Sequence, residues 1–188
     1  MLNWYLQNGK ESDVVVSSRI RLARNLANFP FITKANHATK QKIEETIKEI
    51  TPSLGYGLQF VKLKDMDDIT KMVLVEKHLI SPNFALDKQE TGAMLINEEE
   101  NISIMINEED HLRIQVMNAG FDLENLMNLA TEFDETLGKA LPYAYHEKYG
   151  FLTACPTNVG TALRVSVMVH LPRTSGNWKY WKNFRSYS

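Results

Sequence analysis

The sequence predicts an α+β domain, a mainly antiparallel sheet with helices packed on one face. Three observations lead there. Short runs of alternating apolar and polar residues recur between Val14 and Leu171. Two segments carry helical stripes long enough to cover a sheet, and no internal repeat or low-complexity linker divides the chain.

Taken in order, residues 1–10 read as a helical turn or two that docks Trp4 and Leu6. Residues 13–22, rich in valine, form the first strand. Residues 37–50 read as a helix with Ile43, Ile47 and Ile50 on one stripe and Pro52 beyond its end. Gly55-Tyr56-Gly57 leads into a strand from Leu58 to Leu63, and residues 65–80 read as helical, stopping before Ser81-Pro82. A hairpin follows. Residues 93–97 run to the acidic turn 98–100, read as a solvated loop, and Ile102, Ile104 and Ile106 return as a strand with one buried face. Arg113 falls on another strand. Beyond Asn118-Ala119-Gly120, residues 122–140 form a long helix with Leu123, Leu126, Leu129, Phe133 and Leu137 on one side. Two strands close the pattern, at about 150–155 and 163–171.

With 188 residues, 44% of them hydrophobic, the chain can bury a sizeable core. A net charge of -2 gives no global electrostatic reason to expect nucleic acid. One cysteine, Cys155, excludes an internal disulfide framework and points to a reducing compartment. No stretch reaches the roughly 18 to 20 apolar residues of a membrane span, and the N-terminus lacks a basic leader. The expectation is a soluble cytoplasmic protein.

Charge is concentrated locally instead. Four of the seven arginines lie on predicted strands: Arg19, Arg21, Arg113 and Arg164. Strand residues alternate faces, so Arg19 and Arg21 point together while Ile20 and Leu22 enter the core. The same parity sets Arg113 against Leu112 and Ile114, and Arg164 against Val165 and Val167. A guanidinium is always charged and grips phosphate oxygens with two donors. Singly, each arginine reads as a surface or ion-pair residue; together on one face they read as a cup for a polyphosphate. In Asn107-Glu108-Glu109-Asp110-His111, Glu109 shares that face if the strand runs unbroken to Arg113. A carboxylate there repels phosphate, so it is useful only for holding a cationic acceptor or taking its proton. The plainer reading is a loop acid paired with a neighbouring arginine. Cys155, in Thr153-Ala154-Cys155-Pro156-Thr157-Asn158-Val159-Gly160-Thr161, is either a small buried hydrophobe or a thiol at a loop rim near cations. His78, at a predicted helix end, reads by itself as structural.

Three segments in this order resemble the phosphagen kinase catalytic domain, the ATP:guanidino phosphotransferases of the arginine and creatine kinase type. They are Ser17-Ser18-Arg19-Ile20-Arg21-Leu22-Ala23-Arg24, Asn107 to Arg113, and Cys155 to Thr161 running on to Arg164. The likeness covers about residues 3–172 and is nearest the bacterial protein-arginine kinase branch, which Val75 to Pro82 also resembles. It implies part of a glutamine synthetase-like α+β fold and a kinase using ATP and Mg²⁺. By that resemblance Ser17, Ser18, Arg19, Ile20 and Arg21 contact the ATP phosphates, and Arg113 with Arg164, Val165, Ser166, Val167 and Met168 completes the cradle. His78 lies near the nucleotide, Glu109 is the catalytic carboxylate, and Cys155 helps orient the acceptor guanidinium. No metal ligand is expected among the side chains, Mg²⁺ being held by phosphates and water. The branch phosphorylates exposed arginines of proteins, marking them for a Clp protease, in company with an activator protein and a heat-shock repressor. No nucleic-acid or membrane partner is implied; self-association as a homo-oligomer is expected where truncation leaves a sheet edge bare.

The likeness stops at Pro172, so residues 1–172 are expected to be the N-terminal part of such a domain. Residues 173–188, with two of the three tryptophans and no acid, are read as a non-family tail. Shifted by one base in A/T-rich codons, this tail reads as an amphipathic helix start, so a frameshifted, truncated product with weak or absent activity is expected, which sequencing the gene tests. Two alternatives stay open beside the protein-arginine kinase: a kinase of a free guanidino metabolite, and a non-catalytic module that only binds nucleotide or partners.

Overall fold

The computed structural model describes residues 3–87 and 90–171, so the tail from Arg173 lies outside the described residues. Six strands form one antiparallel sheet: β1 (Val15–Arg24), β2 (Gln59–Lys62), β3 (Ala93–Ile96), β4 (Ile102–Ile106), β5 (Leu112–Ala119) and β8 (Leu163–Val169), in the order β2-β3-β4-β5-β1-β8. Two-residue strands β6 (Tyr145–His146) and β7 (Gly150–Phe151) form a separate ribbon. The helices are α1 (His37–Ile50), α2 (Asp68–Glu76), α3 (Pro82–Leu86) and α4 (Leu123–Ala140).

The two long helices cover one face, as their stripes predict. Ile43 and Ile47 of α1 and Leu126, Ala130, Phe133 and Leu137 of α4 pack with Ile20, Leu22, Leu95, Ile104, Leu112, Ile114 and Val116. A smaller cluster lies on the opposite face at the β2–β4 end, where Leu74, Leu79, Ile80 and Phe84 from the α2–α3 region meet Met94, Met105, Met117 and Trp4. All five residues of β4 are therefore buried, not one face alone. Ser103 tolerates this because its hydroxyl donates to the Leu79 carbonyl at 2.6 Å.

Several boundaries differ from the sequence reading for identifiable reasons. The helix expected over 65–80 is shorter, because the Asp67 side chain accepts from the Thr70 amide at 2.7 Å and starts α2 afresh. Pro82 begins α3 instead of merely ending its predecessor: Ser81 caps it, with proline at the first turn. The strand expected at 150–155 shrinks to β7, with Cys155 in the loop beyond. Trp4 is buried as expected, but Leu6 is exposed. The acidic turn is not idle, since Glu100 pairs with Lys77 at 2.8 Å and accepts from Asn3 at 3.1 Å.

His111 closes the hairpin loop as a neutral ring. Its Nδ1 accepts from the Leu26 amide at 2.9 Å, which leaves Nε2 to donate to the Pro30 carbonyl at 3.0 Å. Burial lowers its pKa, against the opposing pull of that Pro30 bond and of Asp110. Below the ordinary value of 6.5 the unfolded chain thus binds more protons than the folded one. Stability is complete above that value and falls as pH drops through it, by at most about 1.4 kcal/mol per pH unit. Melting measured at about pH 7.5 and 5.5 should show this loss, and His111→Gln should shrink the difference even if it lowers both temperatures.

Candidate active site

Strand β1 runs between β5 and β8, and register decides what gathers on its exposed face. Arg21 stands opposite Gln115 on one side and Arg164 on the other; Arg19 stands opposite Met117 and Ser166; Arg113 stands opposite Ala23. Directly paired strand residues share a face. The four arginines of the sequence reading accordingly project from one surface, beside the end covered by α2 and α3. Arg24 points the other way, its Nε and Nη2 gripping Asp134 at 2.9 and 2.6 Å.

These four cations stand close enough to repel one another. Burial lowers the Arg21 pKa to about 10, with further depression from Arg19, Arg113 and Arg164 that Glu108 only partly offsets. Arg19 is lowered too, by burial first and then by Arg113 and Arg164. The Nε of Arg21 is buried without a hydrogen-bond partner among the described residues. Clustered cations with an unpartnered donor form a site poised for a multivalent anion.

The loop from Asn107 to His111 brings the acids in by a route the parity argument missed. β4 ends at Ile106 and Asn107 turns the chain at φ 61°, so no continuous strand carries Glu109 to Arg113. Glu109 is nonetheless in the same cleft, exposed, and lines it with Arg21, Arg113 and Arg164. The acid that pairs with an arginine is its neighbour. Glu108 takes the Nη1 of Arg113 at 2.8 Å on both oxygens and accepts from Ser81 Oγ at 2.6 Å. Glu109 makes no ion pair among the described residues. Asp110 fixes the loop: its Oδ1 accepts from Asn25 Nδ2 at 2.5 Å and from the Ala154 amide at 2.7 Å.

A second groove opens beside Arg19, walled by Trp4, Ser17, His78, Met117, Ser166, Val167 and Met168. His78 reaches both this groove and the cleft of Arg19, Arg21 and Arg113. It does so from a left-handed backbone, φ 60°, just past the end of α2. The Leu79 amide returns to the Leu74 carbonyl at 2.9 Å and the His78 amide to Val75 at 2.9 Å, the helix stop that glycine usually fills. Gln115 holds the carbonyls of His78 and Leu79 to the sheet at 3.3 and 2.7 Å. A non-glycine residue there costs about 1 kcal/mol. His78→Gly should therefore raise the melting temperature by roughly 2–4 °C; a fall would show that the imidazole itself holds the fold together.

The remaining sequence-predicted residues divide. Ser17, Ser166 and Met168 line the groove beside Arg19. Ser18 and Ile20 turn to the helix side: Ser18 Oγ donates to the Gly120 carbonyl at 2.7 Å and accepts from the Asp122 amide at 3.2 Å, and Ile20 is core. Val165, opposite Ile20, shares that side. Side-chain contact with a ligand on the arginine face is closed to these three. Cys155 is half-buried, its Sγ 3.0 Å from Thr157 Oγ1, one residue from the Ala154 anchor but not on the cleft wall, which Asn158 reaches. Sequence reasoning passed over Ser81, Glu108, Gln115 and Asn158; only Glu108 carried a signal, its adjacency to Glu109 in the acidic run.

Among the described residues no group of three or more His, Cys, Asp or Glu is placed to hold a metal, and no helix is long and apolar enough to cross a membrane.

Residues 38–184 match the family model of the ATP:guanido phosphotransferase C-terminal catalytic domain. The chain is 47% identical over 180 residues to a protein-arginine kinase of Halothermothrix orenii, covering 90% of this chain and 49% of that protein. It is 43% identical over 184 residues to one of Clostridium tetani, covering 98% of this chain and 54% of that protein. The chain thus spans about half the length of the curated relatives it matches. The duplicated taurocyamine kinase of Schistosoma mansoni, substrate-free, superposes with a TM-score of 0.77 at 30% identity over 85% of this chain and 24% of that one. A lombricine kinase at 23% identity shares the fold alone, with a TM-score of 0.76 over 94% of this chain and 53% of that one. On this footing the chain belongs to the ATP:guanido phosphotransferase family, to its C-terminal catalytic domain.

Proposed function

We propose that this chain is the nucleotide-binding part of a protein-arginine kinase, which transfers the γ-phosphoryl group of ATP to arginine side chains of proteins. One observation carries the proposal: Arg21, Arg113 and Arg164, from three strands, line one cleft whose wall also presents Glu109, a carboxylate with no ion pair among the described residues, while Arg19 projects from the same sheet face beside it. The acceptor class comes from relatives named protein-arginine kinase at 43–49% identity.

In this reading Arg21, Arg113 and Arg164 bind the phosphate chain, and Arg19 lies between it and the groove of Ser17, His78 and Met168, which receives the nucleoside. Phosphoryl transfer needs mainly positioning and neutralisation of charge on the moving group, and fixed guanidinium groups in a partly dry cleft supply both. Glu109 holds the acceptor guanidinium by charge-assisted hydrogen bonds. As a guanidinium nitrogen forms its bond to phosphorus and the bond from phosphorus to the bridging oxygen of ADP breaks, the nitrogen's proton passes to Glu109. A protonated guanidinium, with pKa above 12, has no free electron pair for this attack, so an oriented base is required. Mg²⁺, held by phosphate oxygens and water, would supply further charge neutralisation. Cys155, on the loop tied to Asp110, acts from the acceptor side. Tagging of exposed arginines for Clp-type degradation, with an activator protein and a heat-shock repressor, is the setting that fits this chemistry.

The test is phosphoarginine mass spectrometry, at neutral pH because the N–P bond is acid-labile, after incubation with Mg-ATP and either an arginine-bearing protein or free arginine. Phosphoarginine on protein supports the proposal. Phosphate on free arginine alone would move the assignment to a guanidino-metabolite kinase, and nucleotide binding without transfer would reduce the chain to a binding module.

A further inference from the structure

The acid beside the candidate base is engaged, and what it engages is not random. Glu108 accepts both from the Arg113 guanidinium and from the Ser81 hydroxyl, and its Oε2 receives the amide of Glu109 at 3.3 Å. Ser81 is in turn fixed by its own helix: its Oγ accepts from the Phe84 amide at 3.1 Å as the cap of α3. Ser81 also stands three residues beyond His78 on the wall of the cleft that contains Arg113. One carboxylate thus ties the α2–α3 wall, the loop of Glu109 and a cleft arginine to one another.

The manner of the Arg113 contact matters. Both Glu108 oxygens face a single nitrogen, Nη1, at 2.8 Å, while Nε and Nη2 make no hydrogen bond among the described residues. A guanidinium has five donors in a rigid plane. Gripping it by one corner fixes the plane and leaves its remaining donors for a ligand. A group meant only to cancel the charge would gain more from the usual two-nitrogen fork.

Resting on the kinase reading above, we infer that Glu108 is a positioning residue: with Ser81 it holds Arg113 in the orientation that receives phosphate oxygens. This has a consequence of unusual sign. If Glu108 were only a countercharge, removing it from a cleft that binds a polyanion would tighten binding, because an opposing negative charge is gone. If it positions Arg113, removing it loosens binding even though the cleft becomes more positive.

The experiment is calorimetric titration of the full chain with Mg-ATP and, separately, with inorganic triphosphate. Glu108→Gln should weaken both about threefold to tenfold, the range of coupling between groups in direct contact. Ser81→Ala, which acts on the same carboxylate from the wall side, should weaken both by a smaller factor in the same direction. In an Arg113→Ala background, Glu108→Gln should add no further loss. Melting temperatures establish that each variant is folded, and should Glu108→Gln not fold, Ser81→Ala with and without Arg113→Ala decides the matter. Equal or tighter binding by Glu108→Gln, or a loss that persists unchanged without Arg113, overturns the inference while leaving the kinase reading intact. A wild-type chain that binds neither ligand overturns both.

Discussion

Glu109→Gln is expected to remove phosphoarginine formation almost entirely, by about 10²–10⁴-fold, the usual worth of a positioned general base. Mg-ATP affinity should stay within about twofold or tighten slightly, because the lost charge is negative and faces a polyanion. Shape is preserved, so a large drop in stability is not expected; Glu109 is exposed and makes no ion pair among the described residues. The readouts are phosphoarginine mass spectrometry and nucleotide titration on the same preparations. Retention of more than about a tenth of the rate would reassign the base, since a general base cannot be removed at so small a cost. Loss of nucleotide affinity together with the rate would instead make Glu109 part of the loop's scaffold.

The second large effect is at Arg21, and it reverses the usual link between binding and stability. Arg21→Met removes a cation that three neighbouring cations repel and a buried Nε that finds no partner. The free chain should therefore melt no lower than wild type, and by preference higher. Mg-ATP should bind about 10- to 100-fold more weakly, since a hydrogen bond to a charged group contributes about 1.5–3 kcal/mol. Differential scanning in the presence of nucleotide separates the two effects. At a ligand concentration one hundred times the wild-type Kd, binding stabilises by about 2.7 kcal/mol; a hundredfold loss of affinity reduces this to about 0.4 kcal/mol. A lower melting temperature in the free variant would mean that Arg21 supports the fold, contrary to the picture of a cluster kept at the expense of stability. The alkaline limb should follow the same logic. The lowered Arg21 pKa makes the folded chain shed a proton before the unfolded one, so this group's penalty is present at neutral pH and diminishes above about pH 10.

Much of this arrangement is legible in the sequence, and the reason is locality. Alternation along a strand has a period of two, so the common face of Arg19 and Arg21, and the core direction of Ile20 and Leu22, follow from the chain alone. The same holds for Ile43 and Ile47 on α1, or Leu126, Phe133 and Leu137 on α4, whose stripes need only a helical period. Parity also shows which side chains of the family-like string can face a ligand. Ser18 and Ile20 sit inside the most family-like string, yet alternation sends both to the helix side.

Loops obey no such period. Glu109 reaches the cleft because Asp110 is bound to Asn25 and to the Ala154 amide, contacts spanning 85 and 44 residues along the chain. Glu108, one residue away, takes the ion pair because Ser81 meets it from the α2–α3 wall of the cleft. Parity set Glu109 apart from Glu108 only on the premise of an unbroken strand, which the turn at Asn107 removes; a pairing that depends on a third segment is invisible to spacing. His78 is similar, since its strained backbone and its view of both grooves depend on Gln115 holding the helix end against β5. By itself the sequence determined which side chains share each face of a strand or helix, because that is written in short-range backbone geometry. Only the tertiary structure decided which acid stays free for chemistry and which is consumed in holding an arginine, because those hydrogen bonds close between residues distant along the chain.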